Sequence, residues 1–333
     1  STFPSWDAVG EGKHKLRKNC WECTGEVRKI VEEVTRDKKS QLDKAKALTY
    51  WVRRQVRYLS RGPGGLGYMP HQPAQVLKNL YGDCKDQAQL LAVMLKEIGL
   101  PVWLVTLGTR DDGQIEPTVP SPWGTHAILL TKIDGKDYWI DTTVSLAAWD
   151  FLPRGDRDRN VYVTQDAELK LLKTPAFTHK DYRIEQTTHV TVEPDGTSRC
   201  LRDALHHHSA GWSRRHRLLD VAPGERRRLV AGELLDANTK SKLLGLKIDE
   251  KQLHDFDQPV RTSMEFEITR HFISEGAVRE ASFTDSPVWT WFLGYTIDPE
   301  RKVPFVFPTP FESVHRFVVT IPPGFRLDRP PED

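Results

Sequence analysis

Scarcity sets the first limits on this chain of 333 residues. Cysteine occurs four times, as Cys20, Cys23, Cys84 and Cys200, too seldom to staple a fold of this length, which excludes a disulfide scaffold. No run approaches eighteen apolar residues, so no segment reads as a bilayer-spanning helix. Neither sign of charge dominates: 48 Lys and Arg stand against 46 Asp and Glu, a formal net charge of +2. No global field therefore points to nucleic acid or to a membrane surface. Internal repeats and low-complexity stretches are missing as well. The chain opens on Ser1, with no methionine and no apolar leader-like run, and reads as a processed protein or an excised fragment.

Cys20 and Cys23 form a CxxC, which is half of a zinc site. No second ligand pair stands near it, so a local disulfide or two free thiols is expected instead, and neither metal nor cofactor. Residues 1–20 are polar and read as irregular. The length suggests two domains, placed at residues 1–170 and 171–333.

What is present organises itself around Leu80–Gly99. Asp83 can cap a helix, Asp86 three residues on completes a capping box, and Gly99 with Pro101 stops the helix. Gly82 is expected to supply a sharp turn before it. Cys84, Ala88, Leu91, Leu95 and Ile98 then recur at helical spacing, an apolar stripe facing a core. A cysteine in the first turn sits at the positive end of the helix dipole, which favours thiolate. Upstream, helices are expected over Thr24–Val34, from Ser40 to an end in Tyr58 and Leu59, and over Ala74–Leu80. The segment Arg61–His71, with four glycines and two prolines, lacks a phosphate-loop ending and reads as a cleft wall.

Downstream the period changes to two. Pro101–Leu107 reads as a buried strand, and Thr125–Ile133 and Lys136–Thr142 as a hairpin closed by Asp134 and Gly135. That turn fixes a register in which Ile128 faces Asp141, so His126 and Asp141 share one face of the hairpin as diagonal neighbours, roughly 6–8 Å apart between carbons. Both strands are apolar, and each buried polar residue then needs a partner. A thiol on a helix N-terminus, an imidazole and an orienting carboxylate are the parts of a cysteine nucleophile site: Cys84, His126 and Asp141. The Cys84 N–H would serve an oxyanion, with Gln72 or Tyr68 as candidates for a second donor.

The run Tyr81-Gly82-Asp83-Cys84-Lys85-Asp86 carries a resemblance. So do Trp51-Val52, Val56-Arg57-Tyr58, Pro73-Ala74, Val76-Leu77, Thr125-His126-Ala127 and Tyr138-Trp139-Ile140-Asp141. Together they resemble a bacterial transglutaminase-like domain over about residues 25–165. The resemblance implies a papain-like triad carried by Cys84, His126 and Asp141, and an α+β core with the cysteine helix packed on an antiparallel sheet. It implies acyl transfer on amide bonds, of a peptide or of a glutamine side chain in a protein or peptide substrate, and an exported or periplasmic setting; hydrolysis is expected over transamidation because water needs no dedicated second site. An inactive fold used for binding is the alternative.

The second half alternates in short strands, from Thr187–Val192 and Ser198–Leu205 to Arg261–Thr269, Ala277–Phe283 and Ser313–Ile321. A β-sandwich is expected, with a helical insertion around 211–220 and 225–235. Glu300-Arg301-Lys302-Val303-Pro304 with Phe307 also resembles the β-domain that follows such catalytic domains. The adjacent His206, His207 and His208 cannot all face one metal on a strand. Arg214, Arg215 and Arg217 with Arg226–Arg228 read as a solvated helix face, and Trp289, Trp291, Phe292 and Tyr295 as core. Pro330–Asp333 reads as an abrupt end from which further chain was removed.

Overall fold

The computed structural model describes residues 3–60, 69–275, 278–281, 302 and 309–326. Tyr68 and most of the glycine-rich segment lie outside them, as do the cluster Trp289, Trp291, Phe292 and Tyr295 and, apart from Lys302, the segment 300–307. The chain divides into two compact units, Ser1–Phe177 and Thr178–Asp333. Among the described residues no helix is long and apolar enough to cross a membrane.

The N-terminal unit is α+β. Helices α1 (Trp6–Arg17), α2 (Gly25–Thr35) and α3 (Gln41–Gln55) lead to a short strand β1 (Arg57–Tyr58). Then come α4 (Pro73–Asn79), β2 (Tyr81–Gly82) and α5 (Cys84–Glu97). Strands β3 (Val102–Leu107), β4 (His126–Ile133), β5 (Lys136–Ile140), β6 (Asn160–Gln165) and β7 (Glu168–Lys173) form one antiparallel sheet in the order β5-β4-β3-β6-β7.

Helix α5 is the centre of this unit. Every residue from Asp86 to Leu95 is buried, so the helix is enclosed on all sides rather than along one stripe. The reason lies in its neighbours, since α2, α3 and α4 pack on it from one side and β3 and β4 from the other. Its two glutamines are tethered rather than solvated: Gln87 Nε2 donates to Val56 O at 2.8 Å and Gln89 Nε2 to Cys20 O at 2.9 Å. Each amide pairs its donor group while its Oε1 stays without a partner, so these bonds offset only part of the cost of placing polar residues in a core.

The N-terminus departs from expectation. Residues 6–17 form a helix, begun by the Ser5 side chain accepting from Ala8 N at 3.1 Å. Its polar composition hides a docked face: Arg17 is buried and donates to Thr164 Oγ1 of β6 at 3.2 Å, and Gly10 lies against Ala167 O and Leu169. Cys20 and Cys23 are free thiols, Cys20 donating to Pro70 O at 3.5 Å.

Gly82 also has a reason other than a turn. It lies in β2, paired in parallel with β1, and a Cβ there would meet the Asp86 Cβ at 2.6 Å. Because Asp86 is fixed by several hydrogen bonds, Gly82→Ala is expected to destabilise the fold by about 1–3 kcal/mol. Urea unfolding of the variant measures it, and an unchanged midpoint would show that α5 can yield.

In the C-terminal unit, strands β8 (Tyr182–Val192) and β9 (Ser198–His207) precede helices α6 (His208–Leu219) and α7 (Arg226–Ala237). They are followed by β10 (Ser241–Ile248), α8 (Glu250–His254), β11 (Val260–Ile268), β12 (Ile273–Glu275), β13 (Val278–Glu280) and β14 (Glu312–Thr320). The main sheet runs β10-β11-β9-β8-β14, with β14 parallel to β8. Val190, Val192, Cys200, Phe266 and Ile268 build a core with Leu218, Val230 and Leu234 of the helices. Helices thus cover that face, and no second large sheet occurs among the described residues of this unit.

Half of the basic cluster of α6 and α7 is a solvated face, since Arg217, Arg227 and Arg228 are exposed, and the other half is not. Arg214, Arg215 and Arg226 are buried. Arg215 donates to the carbonyls of Leu253, Asp255 and Gln258, Arg226 to Leu218 O and Glu250, and Arg214 to Glu233. Guanidinium forks satisfy converging carbonyls in a way that sequence alone cannot distinguish from solvation. His206 is half-buried on β9, where desolvation of its ring, with Arg214 and His207 nearby, pushes the imidazole down to about 3.

Candidate active site

Three local devices bring three side chains together. Cys84 opens α5 behind a complete capping box: Asp83 Oδ1 accepts from Asp86 N at 3.3 Å, and Asp86 Oδ2 accepts from Asp83 N at 3.2 Å. Asp86 also accepts from His71 N at 2.8 Å and lies 3.0 Å from His71 Nδ1, which ties the approach to α4 to the first turn of α5. Among the described residues no hydrogen bond takes up the Cys84 N–H.

The Asp134-Gly135 turn has both residues at positive φ, +50° and +79°, as a type I′ turn requires. Ile133 pairs with Lys136 and Leu129 with Ile140, the register expected from the turn. His126 begins β4, and Asp141 follows directly on β5. The second strand ends two residues earlier than the apolar pattern implied, because Asp141 leaves the ladder. Its Oδ1 accepts from Thr143 N at 2.8 Å and from Thr143 Oγ1 at 2.7 Å, a local turn that competes with strand pairing.

With Oδ1 so occupied, Asp141 Oδ2 faces His126 Nε2 at 3.3 Å. The Cys84 side chain acts on the same imidazole, helping to raise its pKa. Thiol and carboxylate therefore both act on one ring.

Two further residues at the site carry no motif. Arg53 of α3 reaches the backbone of Asp141, its Nη2 donating to Asp141 O at 2.6 Å and its Nε at 3.0 Å. The same guanidinium donates to Ala147 O at 3.3 Å, Ala148 O at 2.8 Å and Trp149 O at 3.0 Å. Asp156 places Oδ2 3.7 Å from His126 Nε2. Tyr58 is also a neighbour, since its phenol senses the charges of Cys84 and His126 while burial raises its pKa. Gln72 is the exposed N-cap residue of α4, and no hydrogen bond joins it to Cys84 or His126 among the described residues. Tyr68 lies outside them.

The charges follow from burial and proximity. Burial opposes a charged imidazole, but the Asp141 carboxylate, its hydrogen bond and the one to Cys84 outweigh it and raise His126 well above its ordinary value. Burial likewise opposes the Asp141 anion, yet the adjacent imidazolium and the Thr143 donors bring its carboxyl down to about 2. Asp156 goes the other way, lifted to about 7 by burial. The donor atoms of His126, Asp141 and Asp156 lie within 4.8 Å of one another, close enough for a cation. An imidazolium already balances one carboxylate, and a neutral Asp156 leaves the cluster without net charge, so it is read as a proton-sharing cluster.

These shifts set a pH dependence. A depressed folded-state pKa makes the Asp141 contribution to stability full above about pH 4 and lost as pH falls through about 2. For His126, raised in the fold, the contribution is full below about pH 6 and is lost as pH rises through its folded value. Asp141→Asn is therefore expected to flatten both limbs in thermal melts taken from pH 2 to 9, and unaltered limbs would detach the pair from stability.

This arrangement defines a class, an α+β domain with a cysteine at the start of its central helix and a histidine–aspartate pair on the adjoining sheet. Residues 28–143 match the family model of the Transglutaminase-like superfamily, and this part of the chain is a transglutaminase-like domain. No curated protein sequence matches the chain. Similar solved structures include a candidate protease from Parabacteroides distasonis (14% identity, TM-score 0.45, 80% of this chain and 53% of that one). Another is a candidate cysteine protease from Cytophaga hutchinsonii (20%, TM-score 0.28, 35% and 37%). A third is LapG of Legionella pneumophila (15%, TM-score 0.31, 52% and 89%). The chain thus spans about half the length of the Parabacteroides protein.

Proposed function

We propose that the chain is a cysteine acyl-transfer enzyme acting on amide bonds of a protein or peptide. The observation that carries this reading is the convergence of Cys84, at the start of α5, and Asp141, 3.3 Å from Nε2, on the one imidazole of His126. Cys84 attacks the amide carbonyl with its proton held on His126. Asp141 fixes the ring's orientation and stabilises the imidazolium. The developing oxyanion meets the Cys84 N–H at the positive end of α5. His126 then protonates the leaving amine, which departs and leaves an acyl-thioester, and the neutral ring next takes a proton from water as it attacks the thioester. Hydrolysis is preferred to amine transfer because water needs no second binding site.

The test is cleavage of a quenched-fluorescent peptide library together with capture of the acyl group on Cys84 by mass spectrometry. Cys84→Ala is expected to lower turnover by about 10³-fold or more. Cleavage that persists in that variant, or incorporation of a fluorescent amine in preference to cleavage, would overturn the mechanism or its hydrolytic outcome respectively. A folded chain whose thiol never carries an acyl group would be a binding module.

A further inference from the structure

One nitrogen of His126 faces two carboxylates, and the mechanism above uses only Asp141. Asp156 ends the short turn Arg154–Asp156, which is pinned by its backbone. Asp156 N donates to Pro153 O at 3.0 Å, Thr174 Oγ1 donates to Asp156 O at 2.6 Å, and Arg110 N donates to Gly155 O at 2.8 Å. The side chain is therefore held where it is by groups that have no stake in catalysis. It is 3% exposed, and its Oδ2 has no hydrogen-bond partner although it points at the imidazole. Among the described residues no lysine or arginine pairs with it. The charged groups facing it are His126 on β4 and Asp141 after β5, with Cys84 on α5 behind the ring.

Two buried carboxyl groups beside one imidazole cannot both ionise freely, and the ordinary outcome is a shared proton. Granted the triad reading of the site, we propose that Asp156 is a proton-holding positioning residue. When neutral it shares its proton with Asp141, and when ionised it locks the imidazolium of His126. The two halves of the reaction ask opposite things of that ring. In the first it gives a proton to the leaving amine, and in the second, as a neutral base, it takes one from water. A second fixed negative charge 3.7 Å from Nε2 holds the ring protonated and impedes the second half. A neutral Asp156 lets the ring cycle. Burial together with the Asp141 charge accounts for its carboxyl standing at about 7 in spite of the imidazolium. The switch moves one proton between Asp156 and solvent, and no other bond changes.

The experiment measures iodoacetamide alkylation of Cys84 against pH in the wild type, Asp156→Asn, Asp156→Glu and His126→Ala, with the His126 ring followed by NMR. In Asp156→Asn the pH at which the imidazolium loses its proton is expected to fall by about one unit or more. Asp156→Glu is expected to keep the wild-type value. An acid kept neutral by burial weakens the fold as pH rises past the unfolded value, so Asp156→Asn is also expected to melt higher than the wild type at pH 8 and not at pH 3. An unmoved ring titration in Asp156→Asn, with the His126 dependence intact, overturns the inference alone. Identical profiles for the wild type and His126→Ala overturn the triad reading instead. One equivalent of Zn²⁺ bound by the wild type and lost in Asp156→Asn would also overturn it, by assigning the cluster to a cation.

Discussion

Replacing His126 by alanine is expected to change the shape of the Cys84 alkylation profile as well as its height. In the wild type the ring holds a proton beside the sulfur, and that proton is stabilised by Asp141 at 3.3 Å. A protonated ring beside the sulfur favours the thiolate, so alkylation is expected to fall off with acid less steeply than in the variant. Without the ring the thiol must ionise on its own, and an ordinary thiol with a pKa of about 8.5 is ionised to only about one part in a thousand at pH 5.5. Thiolates paired with an acid are intrinsically less nucleophilic, by a factor of some tens, which offsets part of the difference. The net loss at pH 5.5 is expected to be at least about tenfold, and the rate should climb about tenfold per pH unit. Peptide turnover should fall by about 10³-fold or more, because both proton transfers use this ring. An alkylation profile unchanged in His126→Ala would dismiss the imidazole as the base.

Arg53→Met carries the second large effect. The guanidinium is buried, which pushes it down to about 10, so it remains charged at neutral pH. It satisfies four backbone carbonyls, those of Asp141, Ala147, Ala148 and Trp149. A methionine of similar length fills the space but leaves these acceptors without donors, at about 1–3 kcal/mol for each one that water cannot reach. A total of about 3–5 kcal/mol is expected, since relaxation of the loop recovers part of the sum. The functional effect should exceed the stability effect at temperatures where the variant is still folded. Asp141 is released from its backbone anchor, so kcat should fall by about tenfold or more while KM changes little. Arg53→Lys, with one point of charge in place of a fork, should recover only part of either. Equal losses of kcat and of folded fraction would reduce Arg53 to a structural brace.

Much of the setting of Cys84 could be read from the chain because it rests on short-range rules. Asp83 and Asp86 stand three apart and form the capping box; Asp134 and Gly135 adopt the positive φ values that set the register. From these two devices alone, Cys84 is placed at a helix start, and His126 and Asp141 on one side of a hairpin. The same local logic misjudged residues whose partners are distant. The polar segment 6–17 is a docked helix, and α5 is enclosed on every side. Three arginines that looked solvated are buried.

Sequence by itself therefore determined which atoms could do chemistry and on which elements they ride, since capping, turn chirality and strand alternation act over two to four residues. Tertiary structure decided how tightly they are held and in what charge state. Arg53 needs four carbonyls brought to it by the chain after β5, and Asp156 needs the turn before β6 to deliver its carboxyl to the nitrogen that Asp141 already faces. Neither meeting has a period or a motif, because each joins segments far apart in the chain whose encounter depends on the packing of the whole unit.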